Sequence, residues 1–134
     1  VNSARKFGVD LERFGSGMEA KGDLILRKIV LDLMSAVVMD TPVDTGRARG
    51  NWYPSINVPS DAKDDSTVDP SGGGVVANIM GTASRANMGD AVWLSNNLPY
   101  ILRLENGSSK QSPQGMVDKN IEAAALRYGG VVAR

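Results

Sequence analysis

The chain has 134 residues, the length of one ordinary domain, with 42% hydrophobic and 22% charged residues, so a buried core is within its means. Lys plus Arg equals Asp plus Glu at 15 each, which removes the broad basic surface of a nucleic-acid binder. Cysteine and histidine are both absent, which excludes disulfides, zinc–thiolate sites, thiol nucleophiles, His-ligated metals and Ser-His-Asp catalysis within one chain.

Residues 1–16 mix charge with glycine and read as a flexible N-terminal arm, in which DLERF (10–14) has room for one helical turn. They lack the apolar stretch of a signal peptide, and the missing cysteine fits a cytoplasmic origin. No run of 18 apolar residues exists, so no membrane partner is expected.

Residues 18–40, MEAKGDLILRKIVLDLMSAVVMD, give the strongest helical pattern. Ile25, Ile29, Leu33, Ala36 and Val37 fall on one side at about 100° per residue, and Leu26, Val30 and Met34 widen it. So wide an apolar arc has two readings: a deeply buried core helix, or a helix that also meets another subunit. Thr41-Pro42 ends it, because the residue before proline is pushed out of the α region. Asp44-Thr45-Gly46 makes a turn, with the Asp44 side chain placed to accept backbone N–H groups ahead of it.

Residues 47–58, RARGNWYPSINV, read as a strand with Trp52, Ile56 and Val58 on one face and Pro54 marking an edge or a break. Residues 59–74, PSDAKDDSTVDPSGGG, are a long polar loop, of the kind that is either functional or disordered. Val75, Ile79 and Ala83 recur at four-residue spacing and predict a second helix to about Ala86. DAVWLSN (90–96) reads as a strand with Val92 and Leu94 on one face. YILRLENG (100–107) has room for one or two helical turns capped by Gly107. Ser112-Pro113 reads as an N-cap followed by proline at the first helical position, and a last helix runs to the Gly129-Gly130 stop. The elements give an α+β fold. A long N-terminal helix and a C-terminal helix pack on a small, mostly antiparallel sheet, with a middle helix and long polar loops. Residues 17–130 form the domain and 131–134 a short tail.

Local patterns that resemble chemical sites have plainer readings. SGGG (71–74) is followed by no G-K-[ST], so it reads as a flexible loop rather than a phosphate cradle. Asp61, Asp64, Asp65 and Asp69 lack the alternation and turn glycine of a calcium loop. Asn106-Gly107-Ser108 reads as an Asn-Gly turn rather than a glycosylation acceptor. Arg47, Arg49, Arg103 and Lys110 are dispersed cations of the sort that pair on surfaces. Asp44 and Glu105 are the one carboxylate pair beside tight turns; nothing in their spacing makes them a hydrolase pair. No catalytic, metal or cofactor residues are assigned, and no enzyme is expected.

The order of these pieces resembles a known family. TPVDTGRARGNW (41–52) follows a long apolar helix, and SNNLPYILRLENGSSKQSPQGMV (95–117) comes later. Pro42, Asp44, Thr45, Gly46, Arg47, Trp52, Pro99, Tyr100, Glu105, Gly107 and Pro113 carry the pattern. It is similar to the neck, or tail-completion, proteins of tailed double-stranded DNA phages, the family named after the tenth gene product of a lambdoid coliphage. The match covers most of residues 20–128. The family commonly has an alanine-rich segment where this chain has DPSGGGVVANIM, which leaves the length of the second helix open, and alanine where this chain has Ser112.

The resemblance implies a non-enzymatic virion part, made in the host cytoplasm. It implies a homo-oligomeric ring, sixfold like the tail tube, between the head-closure connector and the tail terminator or tube protein, with double-stranded DNA passing through its bore without sequence-specific contact. Ile25, Ile29, Val30, Leu33, Val37, Arg47, Arg49, Asp61, Asp64 and Asp65 are the candidate subunit interface, with the N-terminal arm and the 59–74 loop contacting neighbouring rings. Two other readings stand beside it: a tail terminator ring capping the tube, and a small binding module outside virions.

Overall fold

A computed structural model describes residues 4–11, 23–87 and 89–128, with the side chains of 23–26 and 128 outside the description. The elements are β1 (Arg5–Asp10), α1 (Asp23–Asp40), α2 (Arg47–Gly50), β2 (Tyr53–Ile56), α3 (Gly73–Arg85), β3 (Ala91–Asn96), α4 (Ile101–Glu105) and α5 (Val117–Tyr128). The fold is α+β, with one three-stranded antiparallel sheet in the order β1-β3-β2. Phe7 stands opposite Leu94 and Val9 opposite Val92, while Ile56 pairs with Val92 from the other side. Side chains alternate across a strand, so this register gathers Phe7, Val9, Val92 and Leu94 on one face. All four are fully buried.

The helices lie against that face. α1 packs on both α3 and α5, and Ile29, Val30, Leu33, Met34 and Val37 join the sheet residues in one core with Val75, Ile79, Ile121 and Trp52. That settles the wide apolar arc of α1. Ile29, Val30, Leu33 and Val37 are at most 5% exposed within a single protomer, so they have no surface to offer a neighbour, and their assignment to a subunit interface is corrected to core. The arc is wide because α1 is the central helix and is covered from three directions. Ile25, the remaining member of that set, has its side chain outside the description.

The N-terminal arm is also corrected in part. Residues 5–10 are a strand with Phe7, Gly8 and Val9 buried, because Phe7, Val9 and Leu11 alternate toward the core while Arg5 reaches Asp118 across the fold. The rest of the arm, most of DLERF, residues 18–22, the Gly129-Gly130 stop and the 131–134 tail lie outside the described residues.

The strand read over 47–58 is shorter and later than its pattern suggests. Residues 47–50 are one helical turn entered through Gly46 at φ 93°, and β2 covers only Tyr53–Ile56. Trp52 is buried, Ile56 is half-buried and Val58 is 70% exposed, so the three do not share a core face. Pro54 sits on an edge strand, where a missing N–H costs no ladder bond. The second helix begins at Gly73, two residues earlier than its apolar spacing indicates, and ends at Arg85. Arg27 of α1 caps the far end, its guanidinium donating to the Ala86 carbonyl at 2.5 and 3.0 Å.

Candidate functional site

The two stretches that carry the resemblance are distant in sequence and meet in space. α1 stops at Thr41, whose hydroxyl donates back to the Val37 carbonyl at 2.8 Å and accepts the Trp52 indole N–H at 2.9 Å. The long helix, the turn and the aromatic residue are thus tied at one buried oxygen. Pro42 then turns the chain. The side-chain bond into the turn comes from Thr45, whose hydroxyl accepts the Arg47 N–H, rather than from Asp44. Gly46 supplies the left-handed conformation and a close approach: a Cβ there would stand 2.6 Å from the Pro70 nitrogen.

The second stretch docks through side-chain amides. Gln111 acts as a strand-like partner to Val43, accepting its N–H and donating to its carbonyl, both at 2.9 Å. Asn96 is fully buried, donates to the Ala48 carbonyl and accepts the Leu98 N–H. Asn51 donates to the Arg47 and Asp64 carbonyls and accepts the Asp64 N–H, which fastens the polar loop to α2. None of these three was singled out in the sequence.

Glu105 has a role that its neighbours in sequence hide. Its carboxylate accepts the N–H groups of Met116, Val117 and Asp118 at 2.9–3.0 Å. A helix start carries unpaired N–H groups and partial positive charge, so a carboxylate there is doubly favourable. The cap of α5 is therefore Glu105, more than ten residues upstream, and α5 begins at Val117. Ser112-Pro113 is not that cap. It lies in the preceding turn, where the Ser112 hydroxyl donates to the Asp40 carbonyl at the end of α1. Both Glu105 oxygens are thus committed to the backbone at the start of α5.

Around these joints lies a cleft of about 650 Å³, lined by Pro42 to Thr45, Arg47, Ala48, Asp65, Val68, Tyr100, Leu104, Ser109 and Gln111. Arg47 is its central polar group. It pairs with Asp65, lies over the Tyr100 ring at 5.6 Å, and keeps a buried Nε without a hydrogen-bond partner. The walls are aliphatic at Val43, Ala48 and Leu104, and Val68 stands 56% exposed on the rim.

The other candidate interface residues are mostly occupied within the protomer. Arg49 braces three segments, donating to the Met39, Thr41 and Pro70 carbonyls; it is a scaffold residue. Asp61 pairs with Lys6 of β1 at 2.5 Å. Asp64 accepts the Ser66 hydroxyl at 2.7 Å and its N–H at 2.9 Å, and the bonds from Ser66 and Thr67 hold its pKa down at about 2. Pro99 and Tyr100 form the turn into α4, where the Ile101 N–H donates to the Leu98 carbonyl. Gly107, at φ 87°, lies against the Pro113 carbonyl. Among the described residues no group of three acidic side chains is placed to hold a metal ion, and no helix is long and apolar enough to cross a membrane. Comparison with protein-family models, curated proteins and solved structures found no match.

Proposed function

We propose that the chain is a structural subunit of a phage neck, a tail-completion ring between head connector and tail tube with DNA passing through its bore. The observation that carries this reading is convergence. The residues that give the sequence its family likeness, from Pro42 to Pro113, assemble into one connected unit. Gln111 joins Val43, Ser112 joins the end of α1, Tyr100 lies over Arg47, and Glu105 caps α5.

Two physical features support the same reading. The chain carries no net charge, as suits a bore that DNA must slide through, since each added cation raises salt-dependent affinity. The cleft is open, partly apolar and bordered by an unsatisfied arginine donor, as expected of a surface completed by a neighbour. In a closed ring each protomer presents one patch to a different patch on the next.

Mass spectrometry of purified virions and cryo-electron microscopy of the head–tail junction test the proposal. The protein is expected in the particle as one ring at the neck, and deletion of its gene is expected to give filled heads and free tails that do not join. Normal infectious particles from the deletion, or a protein missing from purified virions, reject it.

A further inference from the structure

The helices pack on the sheet face that carries Phe7, Val9, Val92 and Leu94. Alternation along the strands puts Lys6, Gly8, Ser55, Trp93 and Ser95 on the other face. There the Trp93 indole lies across Gly8, where a Cβ would stand 2.7 Å from the ring. The chain that leaves β2 turns back over this second face. Ser55 Oγ donates to the Val58 carbonyl at 2.6 Å, and the Lys6 ammonium meets the Asp61 carboxylate at 2.5 Å. The Asn97 amide, just past the end of β3, donates to the Ser60 and Ala62 carbonyls at 2.9 and 3.0 Å. Residues 58–63 are thus fastened to all three strands through polar groups. They bring little apolar surface of their own, since Val58 is 70% exposed and residues 61–63 are exposed. On the face they cross, Trp93 Nε1 and Ser95 Oγ are buried without a hydrogen-bond partner.

We propose that residues 58–63 are a strap, latched by the Lys6–Asp61 pair, that opens as a unit while the rest of the protomer stays folded. Opening uncovers Trp93 and Ser95. Two features make this step cheap. The Asp61 side chain is 94% exposed, so water and salt screen the latch. Water admitted by opening also gives the Trp93 N–H and the Ser95 hydroxyl the partners they lack when the strap is closed. Segments with few buried apolar contacts and exposed fastenings open locally, well before global unfolding. The strap is therefore a salt-sensitive cover over an aromatic patch of the sheet. It stands or falls independently of the neck reading.

The chain has two tryptophans, so hydrogen exchange of the indole N–H groups, followed by NMR, reads two sites. Trp52 is buried and donates to Thr41, so it reports global unfolding; Trp93 reports the strap. The Trp93 indole is expected to exchange at least about 100-fold faster than that of Trp52. Asp61→Asn is expected to speed Trp93 exchange about two- to fivefold. Raising the ionic strength from about 0.05 to 0.5 M is expected to speed it more in the parent than in that variant. The native chain has no cysteine, so Lys6→Cys with Asp61→Cys can be joined by a short bismaleimide, which is expected to slow Trp93 exchange toward the Trp52 rate. Equal exchange of the two indoles in the parent overturns the strap, as does a joined protein that exchanges Trp93 as fast as the unjoined one. An Asp61→Asn protein with the parent's rate and salt response overturns the latch. If the double variant does not fold, the parent, Asp61→Asn and salt measurements decide alone.

Discussion

Replacing Glu105 by alanine removes a carboxylate that closes the start of α5 from outside the helix. Three N–H donors lose their acceptor, those of Met116, Val117 and Asp118. The Asp118 N–H lies at the surface and is taken up by water. Met116 and Val117 are fully buried residues, so their N–H groups are poorly placed to rehydrate. Hydrogen bonds to a charged acceptor contribute about 1.5–3 kcal/mol each, and a charge at a helix N-terminus adds about 0.3–1 kcal/mol. With one donor rehydrated and partial relaxation, Glu105→Ala is expected to cost about 2–4 kcal/mol. For a domain of this size that is a fall in Tm of roughly 8–16 °C, at about 4 °C per kcal/mol. Glu105→Gln keeps one oxygen able to serve Met116 and Val117 and loses the charge and the Asp118 bond, so it is expected to cost about 1 kcal/mol. Urea unfolding followed by circular dichroism, with unchanged m-values, measures both. If Glu105→Ala falls within about 0.5 kcal/mol of the parent, or glutamine costs as much as alanine, the distant cap is not what holds α5.

Thr41→Val keeps the shape of the α1 terminus but leaves the Trp52 indole N–H buried without an acceptor; urea unfolding is expected to show a loss of about 1–3 kcal/mol. Gly107→Ala puts a side chain at φ 87°, with its Cβ 2.2 Å from the Pro113 carbonyl oxygen; thermal melting is expected to fall well below that of an Asn106→Ala control. The Asp64 carboxyl is held at about 2, against 3.8 ordinarily, first by the Ser66 hydroxyl and then by further Ser66 and Thr67 bonds. Its folded value is depressed, so its contribution is complete above pH 3.8 and fades as pH falls through about 2; an NMR titration of the Asp64 carboxyl checks this, and Ser66→Ala is expected to move the midpoint upward.

Much of the fold was legible because it is written in local periodicity. α1, α3 and β3 each show their period within a dozen residues, and Thr41-Pro42 marks its boundary by sterics alone. The misreadings share one cause, information held elsewhere in the chain. β1 looks like an arm because a glycine and three charges interrupt its apolar residues; its reason to be a strand is the partner β3, more than eighty residues away. Arg47–Gly50 alternates like a strand, yet the left-handed Gly46 and the Pro70 packed against it set a helical turn. Ser112-Pro113 has the local form of a helix start, yet the cap of α5 arrives from Glu105, distant in sequence. The width of the α1 arc was readable, but whether helices or a neighbouring subunit cover it is a property of the whole fold.

The same distinction divides the residues that carry the family likeness. Thr41, Gly46, Trp52, Glu105 and Gly107 have their polar atoms and backbone geometry spent inside the protomer, so keeping them maintains a scaffold. Asp44, Arg47 and Tyr100 face the open cleft, and Arg47 retains a donor that the protomer does not satisfy. Substitutions in the first group should register as lost stability in a single chain. On the proposed ring reading, substitutions at Asp44 or Tyr100 should leave melting nearly unchanged and register only in assembly. A motif whose two halves separate in this way joins a fold requirement to an assembly requirement. If both groups instead reduce stability alike, the cleft belongs to the scaffold and the proposed assembly role of these residues is rejected.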